Sequence, residues 1–236
     1  VLGSKKDING NTVEYARVGF VWDISDTVGL EFNHQIQSDN VDGRQAYSAS
    51  EGDYISGVKR LEPFSRDVRI SSLDIQADVG FATVSSSSSY YRNEAESTYD
   101  QSYNYAAQGF WAYYDGVPRN FVTGVKEFET DAFVQEVRLV SNTESDFDWV
   151  VGAYYSSWNG SADAADYIHG IDIFYNQPNP QAPDLGYTNI QKDNFKDKAV
   201  FGELTYHVTE AWQVTLGARF FDQTFKSSQT ITLPPC

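Results

Sequence analysis

The sequence predicts an all-β protein, specifically a segment of an antiparallel transmembrane β-barrel with about eight long strands in four hairpins. Three observations predict it. Apolar and polar residues alternate with a period of two along each predicted strand. The runs continue for about 10–13 residues, enough to cross a bilayer at a tilt, whereas ordinary strands have about 5–6. Short and long connections follow one another regularly along the chain.

Composition agrees with this class. The 236 residues carry a formal net charge of −16, which argues against nucleic acid as a partner because no cluster of Lys and Arg forms a cationic groove. Aromatic residues make up 15% of the chain, and both strands and membrane interfaces favour them. No transmembrane helix is predicted. The mean hydropathy of −0.47 suits either a soluble β protein or a barrel.

The two ends of the chain show neither a disulfide framework nor a signal peptide. Cys236 is the only cysteine, so it is either free or paired with a residue beyond the end. The first residues are polar and show no signal peptide, and we therefore expect a mature or truncated piece of a longer protein.

The first hairpin is predicted over Asn11 to Ile24 and Val28 to Gln37, with a turn at Ser25. Its apolar positions alternate cleanly with polar ones. A half-buried sheet of a soluble protein gives the same pattern, so this hairpin alone leaves both classes open.

The second and third hairpins follow the same plan. We predict strands over Asp67 to Val79 and Phe81 to Asn93, joined at Gly80, and over Asp131 to Asn142 and Phe147 to Trp158, joined near Thr143. The serine run from Ser85 to Ser89 is expected to be a strand of small residues rather than a linker.

The fourth hairpin, Phe195 to Gln223 with a turn near Glu210, is the clearest. After the turn, one face carries Trp212, Val214, Leu216, Ala218 and Phe220. The long connections are predicted as loops over 38–66, 94–130 and 159–194. Outer-membrane barrels alternate in this way, with short turns on the periplasmic side and long loops outside. A soluble β-sandwich with large insertions is the alternative.

Two sets of strand residues are candidate functional positions. Three tryptophans lie near short turns on the apolar face, where a membrane interface would place them: Trp22, Trp149 and Trp212. Five charged residues lie within strands on the polar face, where a barrel would turn them toward its lumen: Glu31, Glu136, Arg138, Glu203 and Arg219. We expect these charges to pair across strands rather than contact substrate.

The second predicted loop is the candidate for substrate binding, because aromatic rings offer a large contact area at low entropic cost. Its candidate residues are Tyr99, Tyr103, Tyr105, Trp111, Tyr113 and Tyr114. The competing interpretation is that these rings pack the loops against each other.

Catalytic and metal chemistry is not predicted. The three histidines, His34, His169 and His207, have no metal-ligand spacing, and no nucleophile elbow or phosphate-binding glycine loop occurs. We therefore expect no enzyme, no cofactor and no metal site.

Specific motifs carry a family resemblance. FGELTYHVTEAWQVTLGARFFDQ and FVQEVRLVSNTESDFDWVVGAYY resemble the barrel of TonB-dependent outer-membrane receptors, and LEPFSRDVRISSLDIQADVGFATVSSSSSYY resembles a preceding hairpin of that family. The resemblance implies a receptor in the outer membrane of a Gram-negative bacterium, in contact with its lipid. It implies energised uptake of a ferric siderophore, cobalamin, haem or a carbohydrate. It also implies a plug domain and the TonB–ExbB–ExbD complex as partners.

The sequence departs from the family plan in length. A barrel of this family has about 22 strands and a plug, so we expect residues 1–236 to be a fragment without the plug, approximately the second to ninth strands. Cys236 would then lie in an external loop. Two alternatives from other classes remain: a self-contained eight-stranded barrel or adhesin, and a secreted carbohydrate-binding β-sandwich.

Overall fold

A computed structural model of the chain describes residues 6–114, 116–118, 121–142 and 145–233. The described strands form one antiparallel sheet of eight, in which each strand pairs with its neighbours in sequence. The predicted eight strands in four hairpins are confirmed. A single sheet is not a β-sandwich, and among the described residues the first and last strands do not pair, so the sheet is an open segment rather than a closed eight-stranded barrel.

The strands are long and the helices are short. None of the helices in the described part of the chain is long and apolar enough to cross a membrane. The strands are β1 Asn11–Ser25, β2 Val28–Val41, β3 Phe64–Asp78, β4 Ala82–Asp100, β5 Val122–Ser141, β6 Phe147–Ile168, β7 Leu185–Thr209 and β8 Trp212–Thr232, and the helices are α1 Ser102–Ala107, a 3₁₀ turn Phe110–Tyr113 and α2 Ile171–Tyr175.

The strand register places the predicted apolar positions of all eight strands on one side of the sheet. Leu139 lies opposite Val151, which lies opposite Gly202, which lies opposite Ala218. At the other end of the sheet, Phe20 lies opposite Phe32. We call this side the apolar face and the other side the polar face.

The strands extend further than the alternation predicts, and this corrects the predicted loops. The first loop shrinks from 38–66 to 42–63, the second from 94–130 to 101–121 and the third from 159–194 to 169–184. The added strand residues are mostly polar on both faces, as in the pairs of Glu94 with Glu129 and Glu96 with Glu127. These residues do not alternate between apolar and polar, because neither face meets an apolar environment. The sequence pattern therefore does not predict them as strand.

The short turns lie where the sequence places them. Gly80 has φ +90°, a left-handed conformation that glycine adopts without strain, and its N–H donates to Asp78 Oδ1 at 2.7 Å. β-Bulges adjust the register near Ser25 and near Thr209, beside the first and last turns. Thr143 and Cys236 lie outside the described residues.

Most large apolar side chains of the apolar face are not buried within the chain. Leu216 is 76% exposed and Phe220 is 73% exposed. A soluble sheet would bury such a face against another layer. The buried core of the described residues lies instead among the loops beyond the outer ends of β4 to β7.

Candidate functional site

The five charged residues predicted for a lumen all lie on the polar face. Glu31 accepts a hydrogen bond from Asn33 Nδ2 at 2.7 Å, and Asn33 in turn accepts one from Arg17 at 2.7 Å. Arg138 pairs with Glu136 on its own strand. Arg219 lies 3.6 Å from Asp197 on the neighbouring strand. Glu203 lies opposite Gly217. The contacts are therefore a mixture of pairs within a strand and pairs across strands.

Two arginines of this face, Arg138 and Arg219, lie beside the same aromatic ring. The guanidinium carbons of Arg138 and Arg219 each lie 5.9 Å from the centre of the Phe201 ring, and Arg219 also lies 5.2 Å from that of Tyr154. The Phe201 ring covers Gly152, where an added Cβ would lie 2.4 Å from the ring. A glycine is required there because the ring lies directly on the strand backbone.

The second and third loops pack into one unit, which we call the loop cap, residues 101–114, 116–118 and 168–184. Its centre is Tyr105, 2% exposed, whose ring lies 5.4 Å from that of Trp111 and 6.2 Å from that of Tyr114. Both Ile168 and Ile171 are fully buried beneath these rings. Aromatic and aliphatic burial of this kind stabilises the two loops as one packed body.

Two tyrosine hydroxyls connect the loop cap to the strands. Tyr105 donates to Asp166 Oδ2 at 2.9 Å, and Tyr114 donates to the carbonyl of Gly186 at 2.7 Å. Burial raises the pKa of Asp166, while the hydrogen bond from Tyr105 opposes that rise. Burial raises the pKa of Tyr99 to about 12, and the charge of Asp166 adds to the effect.

The six aromatic residues predicted for substrate binding divide into three environments. Tyr103 and Tyr113 are 79% and 62% exposed. Tyr105, Trp111 and Tyr114 are buried within the loop cap. Tyr99 lies within β4 rather than in a loop, which corrects its predicted location. It is half-buried beside Gly124, where an added Cβ would lie 2.5 Å from its ring.

The first loop and the residues before β1 together form a cleft that the sequence does not single out. It has a volume of about 910 Å³ and is lined by the cations Lys6, Arg44 and Arg60 together with apolar residues such as Ile55 and Leu61. Arg60 also donates to Thr123 Oγ1 at 2.5 Å. The sequence feature that could have indicated this cleft is the presence of basic residues in an otherwise acidic segment. The chain as a whole has a net charge of −16.

The apolar face has aromatic residues at both of its margins. Trp22, Trp149 and Trp212 lie on it near the short turns, and Phe147 stacks on Tyr206 beside them with ring centres 4.7 Å apart. A second row lies toward the loop end, where Tyr90 is opposite Phe133 and Phe133 contacts Tyr155. Between the two rows most residues of the central strands are aliphatic or small.

We call the region between these margins the apolar band. From β1 to β8 its upper limit shifts along the strands relative to the residues that the register pairs. Its upper limit is Ala16 on β1 and Phe220 on β8. Pairing from strand to strand connects Ala16 to Lys226, six residues beyond Phe220. Six residues span about 20 Å, and seven strand spacings span about 34 Å. The band is thus inclined by about 30° from the perpendicular to the strands, close to the ~35–45° strand tilt of membrane barrels.

A polar patch interrupts the apolar band on β2 to β5. His34 shares a hydrogen bond of 2.9 Å with Ser71, and Gln135 contacts both Ser88 and Ser86, the latter at 3.0 Å. These groups satisfy one another, which reduces the cost of placing them in an apolar environment. Among the described residues no group of three or more His, Cys, Asp or Glu side chains is arranged to hold a metal ion.

Comparison with protein families gives one match that spans nearly the whole chain. The model described as "TonB dependent receptor-like, beta-barrel" matches residues 4–234. A search of curated protein sequences finds no significant match.

Comparison with solved structures gives the same fold. The ferric yersiniabactin uptake receptor FyuA from Yersinia pestis is similar over 95% of this chain and 34% of its own, with a TM-score of 0.63 and 13% identity. The ferric citrate transporter FecA in its unliganded form is similar over 95% of this chain and 31% of its own, with a TM-score of 0.61 and 12% identity. The chain thus spans about a third of the length of each.

Proposed function

The chain belongs to the TonB-dependent receptor-like β-barrel family, and from this premise we propose that it forms part of the wall of an outer-membrane receptor that takes up a scarce nutrient. The observation that carries the proposal is the apolar band, which runs across eight strands at the tilt of a membrane barrel while its side chains are left exposed by the chain itself. Lipid is the environment that would cover it.

The proposed orientation follows from the connections. The short turns and the three tryptophans Trp22, Trp149 and Trp212 would lie at the periplasmic interface, and the loop cap would lie outside the cell. β1 leads into a short turn, so it would descend toward the periplasm. We propose that the eight strands are approximately the second to ninth of the full barrel in a Gram-negative outer membrane.

The polar face would then line the interior. We propose that its charged residues, which are Glu31, Glu136, Arg138, Glu203 and Arg219, face a plug domain contributed by the full-length protein. Because a closed outer-membrane barrel has no energy source of its own, transport would depend on the TonB–ExbB–ExbD complex of the inner membrane. This partner is proposed from the family alone.

The proposed substrate is a ferric chelate. FyuA and FecA carry ferric yersiniabactin and ferric citrate by their descriptions, which supports this class over cobalamin, haem or a carbohydrate. Tyr103 and Tyr113 are the exposed rings available for contact, and Tyr99 lies below them on the polar face. Tyr105, Trp111 and Tyr114 would act indirectly, by holding the loop cap in shape.

Uptake measurements test this function directly. A strain that lacks the full-length receptor would be supplied with radiolabelled ferric chelates, cobalamin, haem and oligosaccharides, and complemented with the wild-type gene or with Tyr103→Ala/Tyr113→Ala. We expect complementation to restore uptake of a ferric chelate only while TonB is present. We expect the double variant to raise the half-saturating concentration. TonB-independent uptake, or restoration of a different substrate class, would contradict the proposal.

A further inference from the structure

The apolar face continues above the apolar band, and there its two halves carry charge of opposite sign. The half on β4 to β6, which we call the acidic patch, consists of Glu94, Glu96, Glu127, Glu129 and Asp163. The half on β7 and β8, which we call the lysine row, consists of Lys192, Lys196, Lys198 and Lys226. The register places all nine side chains on the same side of the sheet.

The chain does not neutralise either half. Glu94 lies opposite Glu129 and Glu96 lies opposite Glu127, and like charges at directly opposed positions destabilise a sheet. Arg92 contacts Glu94 at 2.6 Å and Glu129 at 2.9 Å. Among the described residues, no ion pair is formed by Glu96, Glu127, Asp163, Lys192, Lys196, Lys198 or Lys226. A partner that presents the opposite charge to each half would relieve this repulsion.

The two halves are arranged on either side of β6, which carries no charge between them. One row of the register passes from Glu94 on β4 through Glu129, Ser161 and Lys192 to Ser228 on β8. If two such surfaces face each other across a two-fold axis along the membrane normal, the left half of each meets the right half of the other. The acidic patch of each copy then faces the lysine row of its partner, so the surface is complementary to itself.

The two halves also lie at the same height above the apolar band, which such pairing requires. Glu127 and Lys226 each lie six residues above the aromatic ring at the upper margin of the band on their strand, Phe133 and Phe220. Six residues span about 20 Å along a strand, or about 15 Å of height at a tilt near 40°. The charges therefore lie outside the hydrocarbon, where they can pair without entering lipid.

The surface has the area that a specific interface needs. Four strand spacings from β4 to β8 span about 19 Å, and the twelve residues from Lys192 to Leu204 on β7 span about 40 Å. The facing area is therefore roughly 760 Å² per copy, close to the ~800 Å² per partner of a standard interface. A barrel wall curves away on both sides of the axis, and long lysine and glutamate side chains can span the gap that this leaves.

We propose that this surface binds a second copy of the chain, in a two-fold symmetric dimer whose axis passes between the two β6 strands. The inference rests on the proposed function only in that it requires an outer-membrane barrel. The acidic patch of each copy pairs with the lysine row of the other, on the outside of both barrels and away from the path of the nutrient.

The test measures the oligomeric state of the purified full-length receptor by native mass spectrometry, at low ionic strength because salt screens exposed charges. Two variants each reverse one half of the surface: K192E/K196E/K226E and E96K/E127K/D163K. The matched controls make the same change of charge elsewhere: K6E/K59E/K126E and E51K/D53K/D26K. Resistance of the barrel to unfolding in detergent at room temperature confirms that each variant is folded.

We expect wild type and both controls to be dimeric. Each reversed variant should need at least about a tenfold higher concentration to associate, because like charges then face each other. An equimolar mixture of the two reversed variants should form dimers with one copy of each, since one variant is acidic on both halves and the other is basic on both. A monomeric wild type, a reversed variant as dimeric as wild type, or a mixture that stays monomeric would overturn the inference.

A crosslinking experiment in isolated outer membranes tests the position of the axis. Ser161→Cys, with Cys236→Ser as background, places a thiol on β6 beside the axis, so a short bifunctional maleimide should join two copies. Ser65→Cys is the matched control, because Ser65 lies at a similar height on β3, three strands from the axis. Equal crosslinking at the two positions would contradict the proposed symmetry.

One pair of outcomes separates this inference from the proposed function. If the full-length receptor is absent from outer-membrane fractions, the proposed function fails. A receptor that remains in that membrane and transports its substrate, yet is monomeric and does not crosslink at Ser161→Cys, refutes this inference alone.

Discussion

The apolar band and the loop cap contain the same kinds of side chain and stabilise them in opposite ways. In the loop cap, Tyr105 is 2% exposed and Ile168 is fully buried by other residues of the chain. In the apolar band, Leu216 and Phe220 remain more than 70% exposed. The loop cap thus supplies its own apolar environment and is suited to water, whereas the band requires one from outside the molecule.

The largest expected effect is in the loop cap. Trp111→Ala should lower the free energy of opening of this unit by about 3–5 kcal/mol, because a ring that is 8% exposed leaves a cavity between Tyr105 and the buried isoleucines. Hydrogen exchange over residues 102–113 measures it. Tyr113→Ala, which removes a ring that is 62% exposed, should change the same quantity by less than about 0.5 kcal/mol. Equal effects of the two substitutions would show that the cap has no packed core.

A charge in the apolar band gives the next effect. Leu216→Arg should lower the free energy of unfolding of the full-length receptor in a bilayer by about 2–4 kcal/mol, since Leu216 lies near the middle of the band on β8. Urea titration in phospholipid vesicles measures it.

The matched control for this prediction uses the same face at a different height. Ser228 lies on the apolar face of β8 but above the band, and Ser228→Arg should change stability by less than about 0.5 kcal/mol. A water-exposed sheet would tolerate both substitutions equally, because Leu216 is already 76% exposed within the chain.

The pH dependence of the loop cap gives a smaller effect. Burial raises the pKa of Asp166 above its value in the unfolded chain, so its contribution to stability is fullest at low pH and falls as the pH rises through the folded pKa. The hydroxyl of Tyr105 opposes this loss by donating to the carboxylate. Tyr105→Phe should therefore cost about 1–3 kcal/mol near pH 8 and less near pH 4.

Hydrogen exchange of the loop cap at the two pH values, corrected for intrinsic rates, measures this difference. Tyr103→Phe serves as the control, since Tyr103 is 79% exposed and should show no pH-dependent cost. A cost for Tyr105→Phe that is the same at both values would indicate that Asp166 does not change its protonation state between them.

The smallest effect concerns the polar face. Arg219→Gln removes the 3.6 Å contact with Asp197 and the position over Tyr154, but the arginine side chain is 45% exposed. Stability should fall by no more than about 1 kcal/mol by urea titration. Lys198→Gln, on the opposite face and without an ion pair among the described residues, should have no measurable effect. A loss well above this limit would mean that the polar face is closed off from water.

The comparison between the apolar band and the loop cap also explains which features of the fold the sequence predicts and which it does not. The apolar band follows from a period of two, so the faces of Phe20, Leu139 and Leu216 could be assigned from neighbouring residues alone. The faces of the strand segments above the band could not be assigned in this way. Their residues, such as Glu94 and Glu129, are polar on a face that meets water. Their pairing is visible only in the register.

The loop cap could not be predicted for a different reason. Tyr105 and Tyr113 are the same residue type in the same loop, yet one is buried and the other exposed. Burial of Tyr105 depends on Asp166 and Ile168, about 60 residues later in the chain, and no local pattern encodes that contact. The burial of Trp111 within the loop cap has the same long-range cause.

A cysteine scan of β8 in the full-length receptor, with Cys236→Ser as background, tests the central claim most directly. Spin labels at successive positions over 213–220 would be exposed in a bilayer to oxygen, which concentrates in lipid, and to a water-soluble nickel complex. We predict oxygen accessibility that peaks at Val214, Leu216, Ala218 and Phe220, with the nickel complex favouring the positions between them. If the label at those four positions is shielded from both reagents, or if the two reagents show no alternation, this face does not meet lipid and the membrane assignment is wrong.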